Sequence, residues 1–170
     1  MAACAAALLA VHLYAENAAA PPADALAARV HNKAGMELLA NRDFPGAAAR
    51  FQLAITLDPS VKFYHNNIAV ACMNQGLYLQ AAAHLERALS LDGHYARALT
   101  NMAISRFHLS EYRGAYHYYR KAVAADRAYT GERFNLAKVI LGMEKLQRDN
   151  PDDEKLKVIL RRVRDLERMP

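Results

Sequence analysis

Apolar and polar positions alternate along most of this chain at spacings of three and four, which puts the apolar ones on one face of successive helices. The pattern also repeats. Thirty-four residues separate Asp58, Asp92 and Asp126, each of which closes an apolar run: AITLD, ALSLD and AVAAD. Ahead of each Asp stands an ordered set of columns. An aromatic opens it (Phe44, Tyr78, Tyr112), a small residue follows (Ala47, Ala81, Ala115), then a large one (Phe51, Leu85, Tyr119), then Ala54, Ala88 and Ala122, and then Ile55, Leu89 and Val123. A second set precedes it in each unit: Ala34, Ile68 and Met102, then the small Gly35, Ala69 and Ala103. Asn67, Asn101 and Asn135 also fall in register, the last in FNLAKVIL, a partial fourth copy continued by Leu136 and Ala137.

The physical reading is a helix, a tight turn and a second antiparallel helix in each unit. Small residues let two axes approach, and the large residue beside them fills the remaining space. One hairpin cannot bury its own apolar face, whereas stacked hairpins can, so the array is expected to fold as a short solenoid. The turns agree. NRDFPGA and NQGLY break the hairpins, Pro59 cannot continue a helix, and Gly93 can supply a positive φ.

These columns resemble the tetratricopeptide repeat (TPR) family. The first copy, about 28–61, carries Gly35, Ala47, Phe51, Ala54 and Pro59 at the signature positions, and copies at about 62–95 and 96–129 keep most of them. The chain departs where Trp often opens the pattern (His31, His65 and Leu99 here) and in the proline column (Gly93 and Arg127). The resemblance implies an all-α, right-handed superhelical solenoid of about three hairpins plus a partial fourth helix within 130–149. It spans about 28–142 of an array placed at 23–149. Residues 150–170 are expected to form a C-terminal capping helix after Asn150-Pro151, N-capped by Asp152 or Asp153, with the apolar stripe Leu156, Ile159, Leu160, Val163 and Leu166.

Residues 1–22 stand apart. The run Ala2–Tyr14 is apolar but short of a membrane span, and Pro21-Pro22 forms a stiff link to the repeats. Three readings stay open: a helix packed on the first repeat, the remains of an export signal or anchor, or within the latter an acylated Cys4. Of two cysteines, Cys72 lies in the apolar run IAVACM and reads as a buried thiol.

Charge and chemistry narrow the function. The formal charge of +5 is mild and its signs are interleaved, so nucleic acid is not expected. There is no glycine-rich phosphate loop, no H-E-x-x-H and no paired-cysteine motif, so no enzyme, metal or cofactor is expected. His31 and His65 occupy equivalent points of neighbouring repeats, yet two histidines make a poor zinc site and read as space-filling. Tyr116 and Tyr118 are either packing residues or a second contact surface.

In a repeat of this kind the first helices line the concave face. The register then assigns Arg29, Asn32, Met36 and Leu39 to it from the first copy, and Phe63, Asn66, Asn67, Val70 and Met73 from the second. The third gives Arg97, Thr100, Asn101, Ile104 and His108, and the fourth helix adds Phe134 and Lys138. Asn offers donors and acceptors to a peptide backbone, while Met adapts to varied shapes, so a partner peptide or amphipathic helix is expected there. The family's basic clamp for the acidic tails of heat-shock chaperones is not matched. Its positions read Asn32, Met36, Asn67, Arg97 and Asn101, and only Asn67 agrees in type and Arg97 in charge. The resemblance therefore implies a non-enzymatic scaffold or adaptor that assembles a complex, such as envelope machinery for pilus or secretion assembly. The alternative is a membrane-anchored structural or regulatory subunit whose groove is filled in cis by residues 1–20. Location in the envelope or the cytoplasm of a bacterium, with a lean to the envelope, and self-association through the open ends are left open.

Overall fold

A computed structural model describes residues 23–167. Among these residues every regular element is a helix: α1 (Ala23–Ala40), α2 (Phe44–Leu57), α3 (Lys62–Asn74), α4 (Tyr78–Leu91), α5 (Ala96–His108), α6 (Tyr112–Ala125), α7 (Arg127–Arg133), α8 (Leu136–Asp149) and α9 (Glu154–Glu167). α1 packs with α2, α3 with α4 and α5 with α6. Each hairpin stacks on the next, so that α1, α3 and α5 are neighbours along one side. No described helix is long and apolar enough to cross a membrane. The readings made for residues 1–22, including those for Cys4, lie outside the described residues.

The column residues do the packing. Ala47, Phe51, Ala54, Ala69, Ala81, Leu85, Ala88, Ala98 and Met102 are wholly buried. A Cβ on Gly35 would stand 2.6 Å from Phe51 Cε1, so α1 and α2 touch through that ring because Gly35 has no side chain. Cys72 is buried among the same residues, and burial raises its thiol pKa. Tyr116 is buried, and Tyr118 packs against the cores on both sides of it, so both serve packing.

The three hairpin turns are built alike. Each places one residue in the left-handed region: Arg42 (φ 63), Gly76 (φ 76) and Ser110 (φ 60). The next residue's N–H bonds to the carbonyl five residues back, from Asp43 to Leu38, from Leu77 to Cys72 and from Glu111 to Arg106. This closes the preceding helix as a Schellman motif. Only the middle copy uses the residue type the conformation favours.

The junctions between hairpins differ. Asp58, Asp92 and Asp126 share one extended backbone conformation (φ −146, −150 and −158). The Asp58 carboxylate accepts the N–H of Ser60 at 3.1 Å and Asp92 that of His94 at 3.0 Å, two residues on, and the next helix waits until Lys62 or Ala96. Asp126 instead accepts from Tyr129, three residues on, at 3.0 Å. It is the C-cap of α6 and the N-cap of α7 at once.

The partial fourth copy is built in two pieces. The chain from 130 to 149 is not one helix: α7 ends at Arg133, Phe134 is extended, and Asn135 caps a new helix by accepting from Lys138 N–H. Phe134 is anchored by stacking on Tyr119 at 5.1 Å. α7 packs on α5 and α6, while α8 turns away to lie on α6. There Gly142 lies against the Tyr112 ring with no room for a Cβ. α9 folds back on α8 and shares a core of Leu156, Leu160 and Val163 with Val139, Ile140 and Met143. Asp153 caps α9 by accepting from Leu156 N–H at 3.0 Å, and it also pairs with Arg113 of α6.

Candidate functional site

The side of the stack formed by α1, α3, α5 and α7 encloses an open cavity of about 570 Å³. Ten of the residues assigned to the concave face line it: Met36, Leu39, Asn66, Asn67, Val70, Met73, Arg97, Asn101, Ile104 and His108. Asn74, Tyr78, Tyr129 and Arg133 also line it and are not among the assigned residues. Tyr78 enters because its ring stacks flat on His108 at 4.1 Å, carrying an α4 residue to the cavity edge. Tyr129 and Arg133 enter because α7 starts directly after Asp126. The absence of Pro or Gly at Arg127 was the available signal.

The remaining assignments take other places. Thr100 is wholly buried; its hydroxyl bonds the Ala96 carbonyl at 2.9 Å and meets the Thr130 hydroxyl at 3.1 Å, which ties α5 to α7. Phe134 is buried because the helix breaks there. Arg29, Phe63 and Lys138 are exposed outside the cavity lining. Asn32 accepts a hydrogen bond from Asn67 Nδ2 at 2.9 Å.

The asparagines spend their polar groups on one another. Asn67 reaches back to Asn32, and Asn101 Nδ2 donates to Asn66 Oδ1 at 3.0 Å. Asn66 and Asn101 are buried, so these bonds satisfy amides that would otherwise be stranded. Adjacent residues thus face opposite neighbours, and the two bonds form successive rungs from α1 to α3 to α5. The third step has no Asn pair; the Thr100–Thr130 contact takes its place.

Among the described residues no Asp or Glu lines the cavity, while Arg97, Arg133 and His108 do. Apolar lining comes from Met36, Leu39, Val70, Met73 and Ile104. Outside the cavity lining, His65 faces His84 with ring centroids 6.4 Å apart. His65 Nε2 lies 3.1 Å from the Pro59 carbonyl, which can only accept, so Nε2 carries the proton. Its Nδ1 is buried without a partner. Burial lowers the pKa of both histidines, and for His84 the charge of His65 adds to it. His31 does not join them, and among the described residues no three His, Cys, Asp or Glu could hold a metal.

No protein-family model matches the sequence, and no curated protein matches it. Solved structures do match the fold. The TPR domain of Arabidopsis OM64 superposes with a TM-score of 0.62 at 19% identity, over 74% of this chain and 98% of that one. The Sgt2 TPR domain from Aspergillus fumigatus gives 0.59 at 22% identity, over 80% and 88%. The first TPR of Spaghetti (RPAP3), bound to the HSP90 peptide SRMEEVD, gives 0.60 at 15% identity, over 85% and 96%. The fold is that of a TPR domain. Within the TPR array, α1–α6 form three hairpins, α7 is a shortened first helix of a fourth unit, and α8–α9 close the end.

Proposed function

We propose that the TPR array is a non-enzymatic adaptor whose concave face holds a segment of a partner protein while a complex is assembled. The cavity carries this reading: it is open, draws its lining from every repeat, and sets a row of aliphatic side chains beside polar and cationic ones. Similar domains are known as peptide complexes, the Spaghetti domain with an HSP90 peptide and the yeast Sti1 domain TPR2B with pHsp70. The residues at the clamp positions of this chain do not favour a chaperone tail. A role in envelope assembly is the finer reading and rests on the apolar run Ala2–Tyr14.

The test is affinity capture from native lysate beside the double variant Met36→Glu/Val70→Glu, with circular dichroism to show the helices intact. The asparagines are unsuitable targets because they hold neighbouring helices together. Loss of one captured protein in the variant supports the reading; full retention sinks it. Removing residues 1–20 separates the alternative, because a groove filled in cis would bind more tightly after the deletion.

A further inference from the structure

The first helix of each repeat has a leading face, turned toward the repeat before it. In the second repeat Tyr64 lies on that face, clusters with Ala28 and Ala54 of the first, and is 5% exposed. Its third-repeat equivalent, Ala98, is wholly buried. The equivalent in α1 is Val30, which is 61% exposed, and Leu26, one turn earlier on the same stripe, is 55% exposed. One turn later Ala34 is half-buried, whereas its equivalents Ile68 and Met102 are buried. The stripe ends at the exposed Glu37, where the later repeats place the buried Ala71 and Ser105. The first repeat thus keeps, open to solvent, an apolar surface that the other two cover.

We infer that this leading face of α1 is a docking site for residues 2–14 of the same chain. Their composition suits it: AACAAALLAVHLY carries no Asp, Glu, Lys or Arg, and its alanines allow a close approach to the Ala27 and Ala34 side of α1. Their length suits it too. Residues 2–14 as a helix measure about 20 Å, and the stripe from Ala23 to Ala34 about 17 Å. Residues 15–22 join the run directly to α1 and can extend about 26 Å, enough to turn it back along the helix. Such a tether sets an effective concentration on the order of millimolar, which favours the run over a second copy at micromolar protein. The cavity fits the run less well, because its arginines and asparagines find no charged partner there. A bilayer fits less well because a span needs about 20 residues. The inference does not rest on the groove reading and leaves the groove open to a partner. It competes with the anchor reading for one run, and the experiment separates the two.

The test is urea unfolding of the full chain carrying Val30→Glu, Leu9→Glu or both, with Leu79→Glu as the control, since Leu79 is 71% exposed on α4. Val30→Glu and Leu9→Glu should each lower the midpoint by about 0.5–1 M. The pair should lower it no further than either alone, because both remove the same contact. Leu79→Glu should leave it unchanged. A Val30→Glu chain as stable as its parent, or two losses that add, overturns the inference. So does a parent midpoint that rises with protein concentration, which would mean that a second copy covers the face. A nitroxide on Cys4, read through backbone amide linewidths, locates the run. It should broaden the amides of α1 and spare those of α5. Broadening of α5 would put the run in the groove, and broadening of no described helix would put it off the array, as an anchor would be; either overturns the docking. Capture by the groove and its loss in Met36→Glu/Val70→Glu are read independently, so the two readings fail separately.

Discussion

The junctions at Asp92 and Asp126 begin from the same residue in the same backbone conformation and lead to different structures. After Asp92 comes Gly93-His94, the carboxylate closes a two-residue turn, and a full first helix follows. After Asp126 comes Arg127-Ala128, both good helix formers, and the carboxylate becomes an N-cap. The helix starts three residues early and runs out at Arg133, where Phe134 finds a ring to stack on. The repeat's signature Asp thus holds two latent roles, and the residues after it choose. The choice decides what lines the cavity, because the early start brings Tyr129 and Arg133 to it.

The comparison can be broken most severely in the core. Phe51→Ala should cost about 3–5 kcal/mol, the range for emptying a fully buried aromatic site. Its third-repeat counterpart Tyr119, only partly buried, should cost less on the same change. Urea unfolding measures both, and equal losses would mean that the two ends pack alike. Next come the close approaches. An Ala elsewhere in a helix would stabilise relative to Gly, but Gly35→Ala should destabilise by about 1–3 kcal/mol because Phe51 has nowhere to go. Gly142→Ala should cost less, since the half-buried Tyr112 ring can turn aside.

Smaller changes sharpen the contrast between junctions. Asp126→Ala should cost about 1 kcal/mol as a lost N-cap. Asp58→Ala, which removes only turn contacts to Ser60, should cost less. In the hairpin turns, Arg42→Gly and Ser110→Gly should each stabilise by about 0.5–1 kcal/mol, since both residues occupy the left-handed region that glycine enters freely. Thermal melts give the sign. The smallest effect is that of pH on the second repeat. His65 and His84 have folded pKa values below the ordinary 6.5, so the unfolded chain binds their protons more readily. Their contribution is fully present above pH 6.5 and is lost as pH falls through the lowered values. A stability–pH profile should flatten there in His84→Leu, and an unchanged profile would remove the pair as its source.

Much of the stack was legible in the sequence because close packing of helices leaves a periodic record. Gly35, Phe51 and Ala54 are the sizes they are because two axes cross there. What is not periodic was hidden. Asn135 matches Asn67 and Asn101 in register, yet it caps a new helix, because a column match cannot tell an interior Asn from a capping one. Thr100 is polar and on the expected face, but its partner Thr130 lies across a helix interface that forms only because α7 starts early. The asparagine bonds join residues thirty-five apart, one step off the repeat, so aligning equal columns never sets the partners side by side. Of the left-handed turn positions only Gly76 announces itself; Arg42 and Ser110 are held there by the hydrogen bonds around them.

The asparagine rungs also set the order in which the hairpins can stack. Each rung needs one Asn facing back and its neighbour facing forward, and only the middle repeat carries both, as Asn67 and Asn66. The first repeat supplies only an acceptor and the third only a donor. Residues 62–95 are therefore the one segment that can be inserted again beside itself with its amide pairing complete at both borders. The first and third repeats each fit it on one side only, so the amides fix the order of the three hairpins, and the step beyond them is made by the Thr100–Thr130 contact instead.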